Sequence, residues 1–135
     1  MKPALQDAQL NVTFALPNGA ANVSSGGIPT ANDSTGDFVA NAQFTILAPA
    51  LTTSQLPDAG TITYDVYQSA NADLSSPTVL YPGVLVQTGA GGAGAAAASF
   101  DFRVPTNVKG YVFVKATKSG TGNASTSNAQ LTVSV

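Results

Sequence analysis

Residues 100–135 read FDFRVPTNVKGYVFVKATKSGTGNASTSNAQLTVSV and contain three short segments in which every second residue is apolar. The three apolar rows are Phe100, Phe102 and Val104, then Val112, Val114 and Ala116, then Leu131, Val133 and Val135. Successive side chains of a strand point to opposite faces of a sheet, so this period predicts strands with one buried face. Their short connections favour antiparallel neighbours, because a parallel pair needs a crossover of about a dozen residues.

The composition also predicts a protein built from strands. The chain has 135 residues, of which 44% are hydrophobic and only 9% are charged. All 7 acidic residues are Asp, and Lys and Arg together number 5. Because Glu is absent and Lys is scarce, the usual material of exposed helices is missing, whereas Ser, Thr, Asn and Gly suit strands and turns. A single domain of this length buries about two-thirds of its unfolded surface.

Further alternating segments lie upstream of residue 100. We expect a first strand around Leu10, Val12, Phe14 and Leu16, and a second over Phe38–Ala48. A third strand is expected around Ile62, Tyr64 and Val66. A shorter fourth strand follows Tyr81-Pro82-Gly83 and contains Val84 and Val86. Seven strands separated by turn signals are typical of a single antiparallel β-sandwich of immunoglobulin-like type. A jelly roll, which needs about eight strands, is the alternative. We assign residues 8–135 to this domain and residues 1–7 to a flexible arm.

The alternating rows also predict the core of the sandwich. The expected core residues are Leu10, Val12, Phe14, Phe44, Ile46, Ile62, Tyr64, Phe100, Phe102, Val112, Val114, Leu131 and Val133.

Residues 20–37 and 89–98 lack apolar anchors and are expected to be connections that are mobile or ordered by a partner. The second of these contains Gly89, Gly91 and Gly94 in a G-x-G-x-x-G pattern. The period-two row at Phe100 leaves no room for the helix that a dinucleotide site requires, so we interpret it as a hairpin loop.

Several classes of function are disfavoured by the residues that the chain lacks. It has no Cys and no His, which removes thiol chemistry, disulfides and nitrogen or sulfur metal ligands. Asp33 and Asp37 match no calcium-loop spacing, and Asp65 and Asp101 fall on predicted solvent-facing positions. We therefore expect no enzyme, no catalytic residues, no cofactor and no metal. The net charge of −2 argues against a nucleic-acid partner, and no segment has the length of a signal peptide or a membrane span.

One strand carries candidate contact residues. If Val112 and Val114 face the core, Tyr111 and Phe113 face outward, either as a contact surface or beneath a covering loop. The arm adds Met1, Lys2, Pro3 and Leu5 as further candidate interface residues, which are free to extend over a neighbour.

The segment GYVFVKATKSGTGNAS, with the closing AQLTVSV, resembles the last strands of immunoglobulin-like and fibronectin type III-like modules. Gly110 departs from their pattern, since it stands where a corner tyrosine would fit. A module free of Cys, His and Trp, and poor in charge, resembles the decoration (cement) proteins of tailed-phage capsids. This resemblance implies a virion protein, made in the host cytoplasm, that binds the major capsid protein, often as a trimer, and stabilises the shell without catalysis.

Two other functions fit the same features. One is a surface- or glycan-binding module of an adhesin or tail fibre, although such modules normally use Trp platforms and this chain has no Trp. The other is a tail-tube or connector subunit, which ring or tube formation would reveal.

Overall fold

The computed structural model describes residues 11–29, 43–71, 73–103 and 110–134, and these form strands joined by turns and loops. The arm, Leu10, residues 38–42 of the predicted strand Phe38–Ala48, and Asp33 and Asp37 lie outside the described residues. The strands are β1 (Asn11–Ala15), β2 (Asn22–Ser24), β3 (Ile28–Pro29), β4 (Gln43–Ala48), β5 (Thr61–Ser69), β6 (Thr78–Thr88), β7 (Ala98–Phe102), β8 (Tyr111–Lys118) and β9 (Asn128–Ser134).

The strands form two antiparallel sheets. The first has the order β1-β9-β4-β7, and the second has the order β2-β8-β5-β6, with β3 also paired to β8. The predicted all-β antiparallel sandwich is therefore confirmed.

The strand order shows which kind of sandwich this is. Pairing is nested, because β1 pairs with β9, β2 with β8, β4 with β7 and β5 with β6. An antiparallel ribbon folded back on itself and divided between two sheets is the arrangement of a jelly roll. The immunoglobulin arrangement keeps its last two strands in one sheet, whereas β8 and β9 lie in different sheets. The architecture of two facing sheets is common to both types, but the connectivity is that of the jelly-roll alternative. Periodicity could not separate the two, because the turn-rich residues 119–127 suit either a hairpin or a crossing between sheets.

The inner faces of the two sheets form the core that the alternation predicted, with some differences at its margins. Of the expected residues, Val12 and Phe100 are only partly buried and pack against the core from its edge. Nine further apolar residues complete the buried cluster, and they are Leu16, Ile28, Ala48, Leu51, Leu56, Val66, Ala116, Ala124 and Ala129. Four of these residues, Leu16, Leu51, Leu56 and Ala124, lie outside the strands, in turns and loops.

One connection and one strand differ from their prediction. The stretch from residue 20 to residue 29 contains β2 and β3, which line the edge of β8; strands of three and two residues are too short to show alternation. The fourth strand is longer than expected, since β6 runs through Pro82 and Gly83 instead of starting after them. Register shifts in the pairing of β5 with β6 absorb this interruption, as bulges do at a sheet edge.

The glycine–alanine tract of residues 89–98 is tied to a neighbouring loop by main-chain bonds. The Leu51 and Ala95 amides exchange hydrogen bonds with each other's carbonyls at 2.8 and 3.0 Å, and the Ala59 amide donates to the Gly89 carbonyl at 2.9 Å. Backbone hydrogen bonds therefore hold the tract in place, and a pattern of apolar side chains in the sequence cannot indicate such bonds. Its mobility in solution stays a prediction.

One end of the sandwich contains a buried cation. Lys118 ends β8 with its side chain on the inner face, where it is only 2% exposed. Its ammonium group donates to the main-chain carbonyls of Gly120 and Thr121. Burial lowers the pKa of this lysine below its ordinary value, because removal from water disfavours the charged form.

Candidate contact surface

The outer face of the second sheet carries the residues that the sequence marked as contact candidates. In the pairing of β5 with β8, Phe113 is opposite Tyr67, and Lys115 is opposite Asp65. Val112 and Val114 are fully buried in the core, so Phe113 projects to the other side of the sheet, as predicted.

Phe113 is nevertheless not an open contact residue. It is only 3% exposed, and its ring stacks on that of Tyr67 with 5.6 Å between ring centroids. The expectation of an exposed aromatic anchor is corrected for this residue, and the covered-strand interpretation applies instead. Tyr111 is half-buried, and its participation in a contact stays a prediction. Met1, Lys2, Pro3 and Leu5 lie outside the described residues.

The loop between β5 and β6 forms one wall over the aromatic pair. Leu74 and Ser76 in this loop adopt positive φ angles of 62° and 50°, a conformation that costs a non-glycine residue roughly 1–2 kcal/mol. Leu74 lies against Gly27, where a Cβ atom would come within 2.7 Å of the Leu74 Cδ2 atom. Strained residues persist only where their surroundings hold them in place, and such positions are enriched at binding surfaces.

A hydrogen-bond network holds this loop in its strained shape. The buried Ser69 hydroxyl donates to the Ser75 carbonyl at 2.6 Å, and the Asn71 amide nitrogen Nδ2 lies 3.0 Å from the Ser75 hydroxyl. The Ser75 backbone N–H donates to the Asp73 carboxylate at 3.0 Å. Hydrogen bonds from Ser75 hold the pKa of the Asp73 carboxyl below its ordinary value, because they favour the charged form. The wall is therefore ordered by its own polar contacts.

Between this wall and the sheet lies a groove with a volume of about 300 Å³. Its lining residues are Ser24, Tyr67, Asp73, Leu74, Pro77, Phe113 and Lys115. The Lys115 ammonium nitrogen lies over the Tyr67 ring, 5.3 Å from its centroid, at the distance of a cation–π contact. The groove thus combines an aromatic floor with one positive and one negative side chain.

Two exposed valines lie on the neighbouring strand β6, and Val79 is the one beside the groove. Val79 is opposite Tyr67, and Val86 is opposite Thr63 on the same face. Their exposed fractions are 46% and 49%. The outer face of the second sheet therefore presents apolar surface beside the groove. Sequence reasoning missed Val79 and named Val86 only as part of the alternating row of the fourth strand, because this strand has apolar residues on both faces and its bulge shifts the alternation.

Asp65 and Asp101, which the sequence places at solvent-facing positions, lie in different sheets. Asp65 lies on β5 of the second sheet and accepts a hydrogen bond from the Gly83 N–H at 2.6 Å. Asp101 lies on β7 of the first sheet and accepts one from the Thr45 hydroxyl at 2.8 Å. Each carboxylate therefore fastens a neighbouring strand.

The described part of the chain offers few other kinds of site. Those residues contain no group of three or more His, Cys, Asp or Glu side chains placed to hold a metal ion. Within the same ranges, no helix is long and apolar enough to cross a membrane. No protein-family model matches the chain, and no curated protein matches it. The features that bear on function are therefore the jelly-roll sandwich and the outer face of its second sheet.

Proposed function

We propose that this chain is a non-enzymatic structural protein of a virion, which binds the outside of an assembled phage capsid and stabilises it. The observation that carries the proposal is the exposed apolar surface on the outer face of the second sheet, at Val79 beside the groove and at Val86 further along β6. Such surface suits a protein partner, because Val79 is opposite the groove residue Tyr67 and exposed apolar patches mark interaction sites.

The composition supports the same proposal. Only 9% of the residues are charged, so the surface consists largely of small polar and apolar groups. These groups lose less on dehydration than charged side chains do. Weak contacts of this kind, repeated over many copies on a symmetric shell, add up to firm attachment.

The fold supports the proposal only by analogy. Jelly rolls recur in viral capsid domains and also in lectins, and a fold by itself does not define a function. The glycan-binding alternative is favoured by the aromatic and polar residues that share the groove. It is weakened by the state of the rings, because Phe113 is nearly inaccessible and the Lys115 ammonium lies over Tyr67. A sugar would need an open ring face.

The test is co-sedimentation with capsids that lack this protein. We expect the parent chain to pellet with intact shells, and the double variant Val79→Ser, Val86→Ser to lose at least about tenfold in affinity. The matched control is Leu47→Ser, since Leu47 is 41% exposed on the first sheet. It should bind as the parent does. Circular dichroism and a thermal melt verify that each variant is folded.

Four results would contradict the proposal. Failure of the parent to bind any shell would remove the decoration function, and equal binding by the double variant would remove the proposed surface. Formation of rings or tubes by the isolated chain would favour the tail-tube or connector alternative, and saturable binding to a glycan panel would favour the module of an adhesin or tail fibre.

A further inference from the structure

We propose that Asn18 is a site of slow spontaneous modification, at which its side-chain amide is converted to aspartate and isoaspartate. Asn18 precedes Gly19, and this is the single Asn-Gly pair of the sequence. The inference goes beyond the proposed function and does not depend on a capsid partner. It concerns the corner at which the paired chain crosses from the first sheet to the second.

This corner is a continuous antiparallel ribbon. β1 pairs with β9 in the first sheet, and β2 pairs with β8 in the second. Between these strands the two connections, residues 16–21 and 119–127, stay joined through main-chain groups. The bonds that join the two chains here run from the Leu16 N–H to the Ser127 carbonyl at 3.1 Å, from the Ala124 N–H to the Pro17 carbonyl at 3.1 Å, from the Gly19 N–H to the Gly122 carbonyl at 2.8 Å, and from the Lys118 N–H to the Ala21 carbonyl at 2.8 Å. Asn18 lies near the middle of the ribbon, opposite Asn123.

The Asn-Gly pair supplies the reactive groups. Asparagine is a chemically labile residue. The Gly19 main-chain nitrogen gives up its proton to water and bonds to the carbonyl carbon of the Asn18 side chain, and the side-chain nitrogen leaves as ammonia. Water then opens the resulting cyclic imide at either carbonyl, which gives aspartate or isoaspartate. Glycine permits this ring closure, because it has no side chain to hinder the approach of the backbone.

The fold exposes the amide but restrains the nitrogen that attacks it. The Asn18 side chain is exposed, so water reaches it. The Gly19 N–H, however, donates to the Gly122 carbonyl at 2.8 Å, and the bridge to Asn123 fixes the backbone that must rotate. Modification therefore proceeds in molecules whose corner has opened locally, and its rate measures that opening.

Asn123, the other member of the bridge, is an internal comparison. It is also exposed, but Ala124 follows it, and the alanine methyl group hinders ring closure. Its side-chain oxygen also accepts hydrogen bonds from the Ser125 N–H and hydroxyl at 2.9 and 2.6 Å. We therefore expect conversion at Asn18 well before any at Asn123.

The two products should affect the corner differently. Aspartate adds a negative charge and leaves the main chain unchanged. Isoaspartate inserts a methylene group into the main chain, which displaces Gly19 from Gly122 and breaks the register of the ribbon. The isoaspartate form, separated by ion exchange, should therefore melt at a lower temperature than both the parent and Asn18→Asp.

The first test compares the folded and unfolded chain at mildly alkaline pH. Peptide mapping by mass spectrometry follows the conversion at Asn18 in buffer and in urea. We expect the folded protein to react between about tenfold and about a hundredfold more slowly. Asn18→Gln is the control and should show no conversion, because its ring would be larger. Equal rates, earlier conversion of another Asn, or an unreacted folded chain when the urea sample has reacted completely would overturn the proposal.

The second test compares Gly122→Ala with Gly120→Ala, two glycines with φ angles of 99° and 81°. A Cβ atom at Gly122 would lie 2.7 Å from the Gln55 carbonyl oxygen, whereas one at Gly120 would lie 3.8 Å from the Gly60 Cα atom. Gly122→Ala must therefore shift the turn and should speed conversion in the folded state at least about fivefold, and Gly120→Ala should do so less. Their rates in urea should match the parent's, since the sequence around Asn18 is unchanged. Equal rates for the two folded variants would overturn the role of the Gly122 bond.

Amide exchange of the parent gives a readout that needs no variant, in case Gly122→Ala does not fold. Protection of the Gly19 amide measures the fraction of molecules in which its bond to Gly122 is open. That fraction should account for the slower conversion of Asn18 in the folded protein. Free exchange at Gly19 together with slow conversion at Asn18 would overturn the proposed restraint.

Discussion

The hydroxyl group of Tyr64 donates a hydrogen bond of 2.8 Å to the side-chain oxygen of Gln87 inside the sandwich. The Gln87 amide nitrogen in turn donates to the main-chain carbonyls of Pro49 and Ala96 at 2.8 and 3.0 Å. Gln87 therefore links β6 to two loops that join the first sheet. Both side chains are buried, so each polar atom depends on its partner within the protein.

This network predicts an unequal pair of substitutions. Tyr64→Phe removes one hydrogen bond and should lower the free energy of unfolding by about 1 kcal/mol. Gln87→Met has a similar volume but leaves the Tyr64 hydroxyl and two carbonyls without their partner, so it should cost about 2–3 kcal/mol. Urea denaturation of the two single variants and the double variant measures the coupling. Equal costs for the two single variants would show that the contacts to Pro49 and Ala96 contribute nothing.

The same tyrosine predicts a loss of stability in alkali. Burial raises the pKa of the Tyr64 hydroxyl above its ordinary value of 10.0. The folded state then holds this proton at a pH where the unfolded state has lost it, so the contribution is complete below pH 10 and declines as the pH rises above 10. The free energy of unfolding of the parent should fall more steeply above pH 10 than that of Tyr64→Phe. Parallel curves would contradict the prediction.

Lys118 should affect the pH dependence in the opposite direction. Its pKa is lowered by burial from an ordinary value of 10.5. Just below pH 10.5 the unfolded state binds the proton more tightly than the folded state does. Stability therefore rises with pH as the folded-state lysine deprotonates. Relative to Lys118→Met, the parent should gain stability as the pH approaches 10.5. A difference between the two proteins that does not vary with pH would show that the ammonium keeps its ordinary pKa.

Phe102 tests the face assignment of β7. Its ring stacks on Phe44 at 5.3 Å and meets Tyr81 edge-on at 5.8 Å. Phe102→Ala should therefore cost about 3–5 kcal/mol in the free energy of unfolding. Phe100→Ala on the same strand is the matched control, and it should cost less, because Phe100 is only partly buried. A loss below about 1 kcal/mol for Phe102→Ala would mean that the wrong face is assigned.

The parts of the fold that could be predicted are those in which one strand face is buried and the other is solvated. Phe44, Ile46, Ile62 and Leu131 follow this rule, and all are fully buried. The nested pairing could not be predicted, because alternation reports which face is buried but not which strand is the neighbour. β2 and β3 were missed for the related reason that edge pairing to β8 leaves no pattern in so few residues.

The sequence predicted which face of the sheet carries Phe113, but it did not predict that this side chain is covered. Alternation placed Phe113 on the outer face correctly, but its ring stacks on Tyr67 and it shares a groove with Leu74, and both residues are about forty positions or more away in the chain. Periodicity cannot report a contact between segments so distant from each other. The groove is assembled from β2, β5, β8 and the loop before β6, so it exists only in the folded chain. An outward aromatic residue was the signal available, and it indicated the correct region.

The glycine tract allows a last prediction, in which two glycines of similar conformation should respond differently. Gly91 and Gly94 have φ angles of 63° and 70°, so alanine at either position should cost about 1–2 kcal/mol from backbone strain. A Cβ atom at Gly91 would meet nothing within 4 Å, whereas one at Gly94 would overlap the Leu51 carbonyl oxygen and come within 2.6 Å of the Thr52 carbonyl carbon. Gly94→Ala should therefore cost at least about 1 kcal/mol more than Gly91→Ala in denaturant unfolding. It should also speed amide exchange at Leu51 and Ala95, whose main-chain bonds would separate. If the two variants are equally stable, the tract is not held against the loop at Leu51 in solution, and the expectation of a mobile connection would apply.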